Sequence, residues 1–404
     1  MVYEHLSRLY HRDEVRWKEE YERRSSSPMT RRFDFILQEY GRMQAYPAFC
    51  CYTEELALLQ EAIRRDFTIL LGRISRVPRA GIEQFLHTCL VQEIIATNAI
   101  EGVHSTKREI RAAMETTPED RLRMRLGGVV NKYARILQGE EISLHTPADV
   151  RGLFDTFLAD EIRRANPDNL PDGRLFRRSS VDIVSPAQKT IHRGSYPEEE
   201  IVRDMEKALA ILHEEQIPLL HRIAIFHYLF GYIHPFYDGN GRMSRFITTY
   251  FLAREFHPTV ALQLSLLIKK RRTKYYKLFA ETTSAHNCGD LTPFIRGTLR
   301  FIHAAIDYTG EALESRLLQY QRYRDIALDG IGDKTMRGVY DVLLQAAVFS
   351  DIGATVEEIA RTLDRTETTI YAKLKRIPEV HLHQNKSSRP YHYMLRLEEF
   401  SVSL

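Results

Sequence analysis

The chain has 404 residues, 44% of them apolar, which favours two or three domains with a buried core. Its 57 Lys and Arg against 54 Asp and Glu leave a net charge of +3, which excludes binding to nucleic acid or membranes through overall charge alone. Four cysteines without a CxxC spacing indicate neither a zinc site nor a disulfide framework, and the charged first 30 residues show no signal peptide, so we expect a cytoplasmic protein that does not contact the membrane.

The N-terminal part is predicted to be an arm followed by helices. Residues 1–32 are charged and contain the break "RRSSSPMTRR", so we interpret them as a basic arm or linker. Residues 33–120 carry apolar side chains at spacings of three and four, which predicts an N-terminal helical region.

The middle of the chain, residues 121–300, is predicted to be one mainly α core with a single β-hairpin. The runs "VDIV" and "KTIH", separated by "SPAQ", favour two short strands. Leu219 to Ile233 is apolar almost all round, which is typical of a helix at the centre of a bundle, and a second helix is predicted from Arg242 to Glu255.

The C-terminal part is predicted to be a linker helix, residues 301–330, and a separate unit, residues 331–404, with the break "LDGIGD" between them. Thr355 and Glu358 form a capping box that begins one helix, and a second helix begins at Thr366 and stops before Pro378. Two predicted strands around "NKSSR" complete the pattern of a winged helix-turn-helix.

Positive charge in this C-terminal unit makes DNA a candidate partner. Five basic residues are placed where a recognition helix and a wing contact phosphates: Lys373, Lys375, Arg376, Lys386 and Arg389. Winged helices also bind proteins and dimerise, so DNA, a protein partner and a homodimer all stay open.

The densest motif is "HPFYDGNGRMSR", at residues 234–245. Pro235 disfavours α conformation at His234, so the buried helix should end there and leave the imidazole at the mouth of a pocket. Gly239 and Gly241 let backbone N–H groups approach an anion at the start of the next helix. Arg242 and Arg245 share one face of that helix and match phosphate oxygens.

Asp238 is the one carboxylate among these donors, and an acid beside phosphate is suited to holding Mg²⁺, which leaves His234 free for proton transfer. A turn of this kind could also be a helix cap with surface salt bridges. The fixed order of His, Asp, Asn and two arginines favours a functional site, because a structural turn does not need them together.

The motif resembles the signature HPFx[D/E]GNGRxxR of the Fic family at every specified position, and weaker similarity extends over about residues 90–300. The resemblance implies a Fic-type helical bundle with a β-hairpin flap. It also implies transfer of AMP from ATP to a Ser, Thr or Tyr hydroxyl of a protein target, including self-modification, with ATP and Mg²⁺ required.

The resemblance also assigns roles to residues. His234 would deprotonate the hydroxyl, and Asp238 would hold Mg²⁺. The α-phosphate site would be lined by Asn240 with the backbone of Gly239 and Gly241, and the outer phosphates would be oriented by Arg242 and Arg245. Tyr276 is the favoured adenine contact, although the Asn that often follows seven residues later in the family is Thr283 here.

Upstream, "TNAIEG" at residues 97–102 resembles the inhibitory [S/T]xxxE[G/N] motif of the same family. Thr97 and Glu101 share a helix face, and the resemblance implies that Glu101 pairs with Arg245 and blocks the productive pose of ATP. We call Glu101 the inhibitory glutamate. The same carboxylate assists AMP removal in some relatives.

Three functions therefore remain open: an autoinhibited protein adenylyltransferase, an AMP-removing hydrolase, and a DNA-binding regulator whose Fic core senses nucleotide. In the first, the predicted hairpin would pair with an extended target segment and place its hydroxyl before His234.

Overall fold

The computed structural model describes residues 3–184, 190–386 and 390–400, and it is mainly helical. The helices in the N-terminal third are α1 Leu6–Arg12, α2 Glu14–Ser26, α3 Glu54–Ile74, α4 Arg79–Ile100, α5 Lys107–Met114, α6 Pro118–Arg121 and α7 Gly127–Leu137. The middle contains α8 Pro147–Phe157, α9 Ala159–Ala165, α10 Glu198–His213, α11 Leu219–Ile233, α12 Asn240–Glu255, α13 Pro258–Ala261, α14 Leu264–Lys270 and α15 Arg272–Thr283. The last helices are α16 Thr292–Leu328, α17 Lys334–Phe349, α18 Val356–Leu363 and α19 Glu367–Leu374.

The strands form three small antiparallel sheets. They are β1 Thr30–Gln38, β2 Ala45–Cys51, β3 Asp182–Val184, β4 Thr190–Arg193, β5 Ala354–Thr355, β6 Leu382–Asn385 and β7 His392–Leu395. The first two sheets are the hairpins β1–β2 and β3–β4, and the third has the order β5–β7–β6. Among the described residues, none of the helices has both the length and the apolar character needed to cross a membrane.

The N-terminal segment is folded against the rest of the chain, which differs from the expected arm or linker. Arg24 in α2 is 3% exposed, and its Nη1 lies 3.0 Å from Asp290 Oδ2. Tyr3 donates from its hydroxyl to the same carboxylate oxygen at 2.7 Å. Arg24, one of the basic residues of this segment, therefore belongs to a buried ion pair. Composition alone cannot distinguish such a residue from one whose charge is solvated.

The expectation of continuous helix from residue 33 is wrong, because Thr30 to Cys51 form the β1–β2 hairpin. Phe33, Phe35 and Leu37 are buried while the residues between them are exposed, the period of two that a half-buried strand requires. Helical spacing of apolar residues begins at α3.

The helices α11 and α4 organise the part of the core around residues 234–245. The predicted central helix is confirmed as α11, which packs against α10, α12 and α16. α12 begins two residues earlier than predicted, at Asn240. α4 packs against α12 and α14 and also against α17, so it contacts both the central bundle and the C-terminal unit.

The C-terminal unit contains α17, β5, α18, α19, β6 and β7. The predicted capping box of Thr355 and Glu358 is present at the start of α18, and Thr366 caps α19. The predicted linker helix is the end of α16, which runs unbroken through residue 300. Arg389 and the hairpin tip "SPAQ" lie outside the described residues.

Candidate active site

His234 follows the last residue of α11 in the left-handed conformation, with φ 52° and ψ 60°. Its Nδ1 lies 3.3 Å from the Gly231 carbonyl, which can only accept, so the ring proton is on Nδ1 and Nε2 carries the lone pair. Burial lowers the pKa of His234 to about 4. The imidazole is therefore neutral near pH 7 and able to accept a proton.

The strained end of α11 is held by Arg177, whose side chain is fully buried. Its guanidinium donates to the carbonyls of His234 (2.9 Å), Ser179 (2.6 Å) and Ser195 (2.9 Å). A left-handed conformation in a non-glycine residue persists only where surrounding contacts fix it. Arg177 provides one of those contacts directly, and its other two bonds tie the segments at Ser179 and Ser195 to the same guanidinium.

The end of the β3–β4 hairpin lies directly against His234. A Cβ atom on Gly194 would come within 2.9 Å of His234 Cβ and 2.5 Å of Arg177 Nη2, so only glycine allows this approach. The loop that carries Arg177 is held by Glu198, whose carboxylate accepts from the N–H groups of Arg174, Leu175 and Phe176 at 2.6–3.0 Å.

The loop between α11 and α12 is closed by Asn240. The Asn240 side chain accepts from Phe236 N–H at 2.9 Å and donates to the Phe236 carbonyl at 2.7 Å. Gly239 has φ 85°, and a Cβ there would come within 2.7 Å of Leu158 Cδ1. The Asn240 amide therefore holds the loop, and the backbone N–H groups in the first turn of α12 have no intrahelical partner, which makes this helix end suited to an anion.

Arg242 is buried beside two carboxylates. Its Nη1 lies 3.0 Å from Glu161 Oε1, and its Nη2 lies 3.6 Å from Asp238 Oδ1. Arg242 Nε and Glu161 Oε2 are both buried, and each lacks a hydrogen-bond partner among the described residues. Asp238 itself is 41% exposed, and its Oδ1 accepts from Gly239 N–H at 2.5 Å.

Arg245 is 1% exposed and makes an ion pair and two hydrogen bonds with the predicted inhibitory motif. Its Nη1 lies 2.8 Å from Glu101 Oε1, while Nε and Nη2 donate to the hydroxyl (2.9 Å) and carbonyl (3.0 Å) of Thr97. Burial alone would raise the pKa of Glu101, but the charge and hydrogen bond of Arg245 together with the charge of Arg242 outweigh it, so the pKa of Glu101 is lowered. The predicted contact between Glu101 and Arg245 is present, and the carboxylate is ionised.

Gly241 leaves the space that this ion pair fills. A Cβ on Gly241 would lie 2.1 Å from Glu101 Oε1 and 3.0 Å from Arg245 Nη1. The absence of a side chain at Gly241, in the first turn of α12, thus makes room for the Glu101 carboxylate.

The aromatic pair after α14 divides into one buried and one exposed ring. Tyr275 is buried, and its hydroxyl lies 2.8 Å from His227 Nε2. Tyr276 is 43% exposed, with the Arg272 guanidinium 5.4 Å from its ring centre. Thr283 bonds to the Tyr228 hydroxyl at 2.9 Å.

The predicted residues of the 234–245 motif and Glu101 thus lie at one place, where α4, α11 and α12 meet. Sequence reasoning missed Arg177, which bonds to the His234 carbonyl, and Glu161, which pairs with Arg242. No motif marks either residue. Gly194 had a weak signal, since it lies in the segment "IHRGSYPEEEI" that extends the similarity.

Comparison with known proteins agrees with this geometry. Residues 150–252 match the model of the Fic/DOC family. Curated relatives named protein adenylyltransferase Fic are 28% identical over 210 residues in Drosophila melanogaster and 39% identical over 213 residues in Drosophila erecta. Each alignment covers 51% of this chain and 39% of the relative, so the chain spans about two fifths of those relatives.

A crystal structure of a Fic family protein from Desulfovibrio desulfuricans shares the fold. Its TM-score is 0.51 at 20% sequence identity, and the match covers 85% of this chain and 96% of that chain. The structural likeness extends well beyond residues 150–252.

Proposed function

We propose that this protein transfers the AMP part of ATP to a Ser, Thr or Tyr hydroxyl of a protein target, which can be the protein itself. The observation that carries the proposal is a neutral imidazole, His234, beside a helix N-terminus that also presents two buried arginines. A base next to a preformed anion site is what phosphoryl transfer to a hydroxyl requires. The curated relatives named protein adenylyltransferase support the same class.

In the proposed reaction, Nε2 of His234 takes the proton of the target hydroxyl as its oxygen attacks the α-phosphorus. A new P–O bond forms to the target, the bond to the β-phosphate oxygen breaks, and pyrophosphate leaves. Charge that develops on the α-phosphate is met by the N–H groups in the first turn of α12, and Arg242 and Arg245 are suited to the outer phosphates. Tyr276, whose side chain is exposed, would contact the adenine.

Asp238 fits a divalent cation. Its carboxylate is 41% exposed at the edge of the loop, with one oxygen engaged by Gly239 N–H. Mg²⁺ binds proteins through one or two carboxylates plus substrate phosphates, and when bound it would neutralise the charge of the α- and β-phosphates. The chain's own part is to hold this carboxylate beside the first turn of α12.

The contact of Glu101 with Arg245 supports the proposed inhibitory role of Glu101. A guanidinium that is already paired with a carboxylate is unavailable to the γ-phosphate, so ATP would bind in a non-productive pose. Removal of Glu101 would free Arg245 at the position where the phosphate needs it.

The target segment would bind along the β3–β4 hairpin. Ile191 and Val184 are exposed on its strands, and a two-stranded sheet leaves edges available for a third strand. Gly194 connects this hairpin closely to His234, so a hydroxyl on an added strand would lie near the base.

The C-terminal unit has the helix and strand order of a winged helix, and we propose that it binds a partner. α19 packs on α17 and α18 and leaves Tyr371, Lys375 and Arg376 exposed. Lys373, expected to contact phosphate, is instead paired with Asp333 at 2.5 Å. The remaining cations and the exposed Tyr371 suit DNA or an acidic protein surface.

The decisive experiment is intact mass spectrometry of the wild type, Glu101→Gly and Glu101→Gly/His234→Ala after incubation with ATP and Mg²⁺. We expect a mass gain of one AMP only in Glu101→Gly, since the second change removes the base alone. An equal gain in the double variant would contradict the role of His234. No gain in any variant, combined with retention on DNA, would favour the regulator instead.

A further inference from the structure

The helix that ends at the inhibitory glutamate is not capped by its own sequence. α4 has 22 residues and is therefore about 33 Å long, with Glu101 at its C-terminal end. At its other end the N-cap residue is Pro78, which makes no side-chain hydrogen bond to the first turn. The N–H groups of that turn need an acceptor from elsewhere.

The acceptor comes from the C-terminal unit. Gln345 in α17 accepts the Gly81 N–H at 2.9 Å through its side-chain oxygen, in a buried position. Close contact of the two helices depends on Gly81, because a Cβ there would lie 2.9 Å from Phe349 Cδ2. Further along α4, Gln84 donates to Glu358 at 3.1 Å and the His87 ring lies 3.8 Å from the same carboxylate.

A second set of contacts lies on the other side of Glu101. Lys107 Nζ is 2.7 Å from Asp351 Oδ2, and Arg111 approaches the same oxygen to 3.6 Å. Glu115, just after α5, lies 3.1 Å from His392 Nε2 in β7. The C-terminal unit therefore contacts the chain both before and after the inhibitory glutamate.

We propose that Gln345 and Asp351 are positioning residues for Glu101, so that the C-terminal unit keeps the active site closed. Neither residue touches the site. Gln345 fixes one end of α4 by capping it, and Asp351 fixes the segment that follows Glu101. The inference rests on the proposed function, because it assigns Glu101 the inhibitory role described above.

The test uses the full chain with Gln345→Met and Asp351→Asn, alone and in the Glu101→Gly background. Loss of a helix cap shifts an equilibrium roughly three- to tenfold, so we expect AMP incorporation to rise by about that factor when Glu101 is present. In the Glu101→Gly background the same changes should have no effect. The matched control is Lys373→Met, which removes an ion pair inside the C-terminal unit.

A rise in both backgrounds, or equal rises in the control, would overturn the proposal, because a general structural change would act without Glu101. Hydrogen exchange of the Glu101 and Val103 amides, which donate to the Asn98 carbonyl, gives a readout that is independent of activity. If Glu101→Gly itself incorporates no AMP, self-modification gives no readout of activity, and hydrogen exchange alone decides whether Gln345 and Asp351 position Glu101. Faster exchange in Gln345→Met and Asp351→Asn supports positioning, and unchanged exchange overturns it.

Discussion

At the scale of single residues, the site depends on groups held in unfavourable states by buried partners. His234 occupies a backbone conformation that few non-glycine residues adopt, and a hydrogen bond from the buried Arg177 to its carbonyl helps to hold it there. The same burial that fixes the ring also keeps it neutral. The imidazole to which we assign the role of base is thus neutral without any substrate present.

The lowered pKa of His234 predicts how activity depends on pH. Protonated imidazole cannot accept a proton, and with the pKa at about 4 the ring is neutral throughout the range from pH 6 to 8. We expect kcat/KM of Glu101→Gly to be flat over that range and to fall below about pH 5. Glu101 itself raises the pKa of His234, so its removal should not shift the fall upwards.

The measurement is the initial rate of AMP incorporation at each pH, with circular dichroism at the same pH values to exclude acid unfolding. A half-maximal rate near pH 6.5, the ordinary pKa of histidine, would contradict the buried neutral ring.

At the scale of elements, α4 and α12 are joined by matching rows of residues at spacings of four. Glu93, Thr97 and Glu101 lie on one face of α4, and they meet Thr249, Arg245 and Gly241 in the reverse order on α12. Two of the three α4 positions form the inhibitory motif. The third, Glu93, fixes how the two helices are aligned.

The Glu93→Gln variant should be less stable, by an amount that depends on pH. Glu93 is fully buried and accepts from both the N–H (2.8 Å) and hydroxyl (2.5 Å) of Ser265, so an amide, which has one acceptor oxygen in place of two, would lose one of these bonds or force the hydroxyl to turn, at a cost of about 1–3 kcal/mol. Burial raises the pKa of Glu93 to about 7 from 4.5. The carboxyl therefore binds its proton more tightly when folded, and its contribution to stability falls as pH rises from 4.5 to 7.

Because glutamine does not titrate, the difference in free energy of unfolding between wild type and variant should shrink from pH 5 to pH 8. Urea denaturation at several pH values measures it. Thr249→Val serves as the control, since it removes a donor to the same carboxylate without removing a titrating group. A difference that stays constant with pH would be evidence against the raised pKa.

Elements with one strong local signal were predictable from the sequence. The run from Leu219 to Ile233, apolar almost all round, predicted both ends of α11 correctly. The capping box of Thr355 and Glu358 predicted the start of α18. The β1–β2 hairpin was missed because its period-two pattern at Phe33, Phe35 and Leu37 lies next to the helical spacing of α3. Within the site, the motif supplied the residues that face an anion, whereas Arg177 and Glu161 act through tertiary contacts that no local pattern encodes.

At the scale of the whole molecule, a buried ion pair joins the N-terminal segment to the core. Arg24 and Asp290 are 266 residues apart in sequence, and both side chains are almost completely buried. A buried charge that loses its partner is costly, so such a pair links the stability of α2 to that of the bundle.

The Arg24→Met variant should lose about 3–5 kcal/mol of unfolding free energy, because Asp290 is then buried without its cation. Arg23→Met is the matched control. Arg23 is next to Arg24 on the same helix but is 65% exposed in its pair with Glu20, so its loss should cost less than about 1 kcal/mol. Thermal denaturation and limited proteolysis of residues 3–26 would measure both, and equal effects would contradict the role of burial.

The capping of α4 by Gln345 also has a consequence for the nascent chain during synthesis. The two residues that form the bond are 264 positions apart, and the catalytic motif lies between them. During synthesis, the segment with His234, Asp238 and Arg245 is therefore made before Gln345, the residue that caps α4. Closure of so long a loop is slow compared with helix formation, so under the proposed function the nascent protein would pass through an interval in which it binds nucleotide before Glu101 is secured against Arg245.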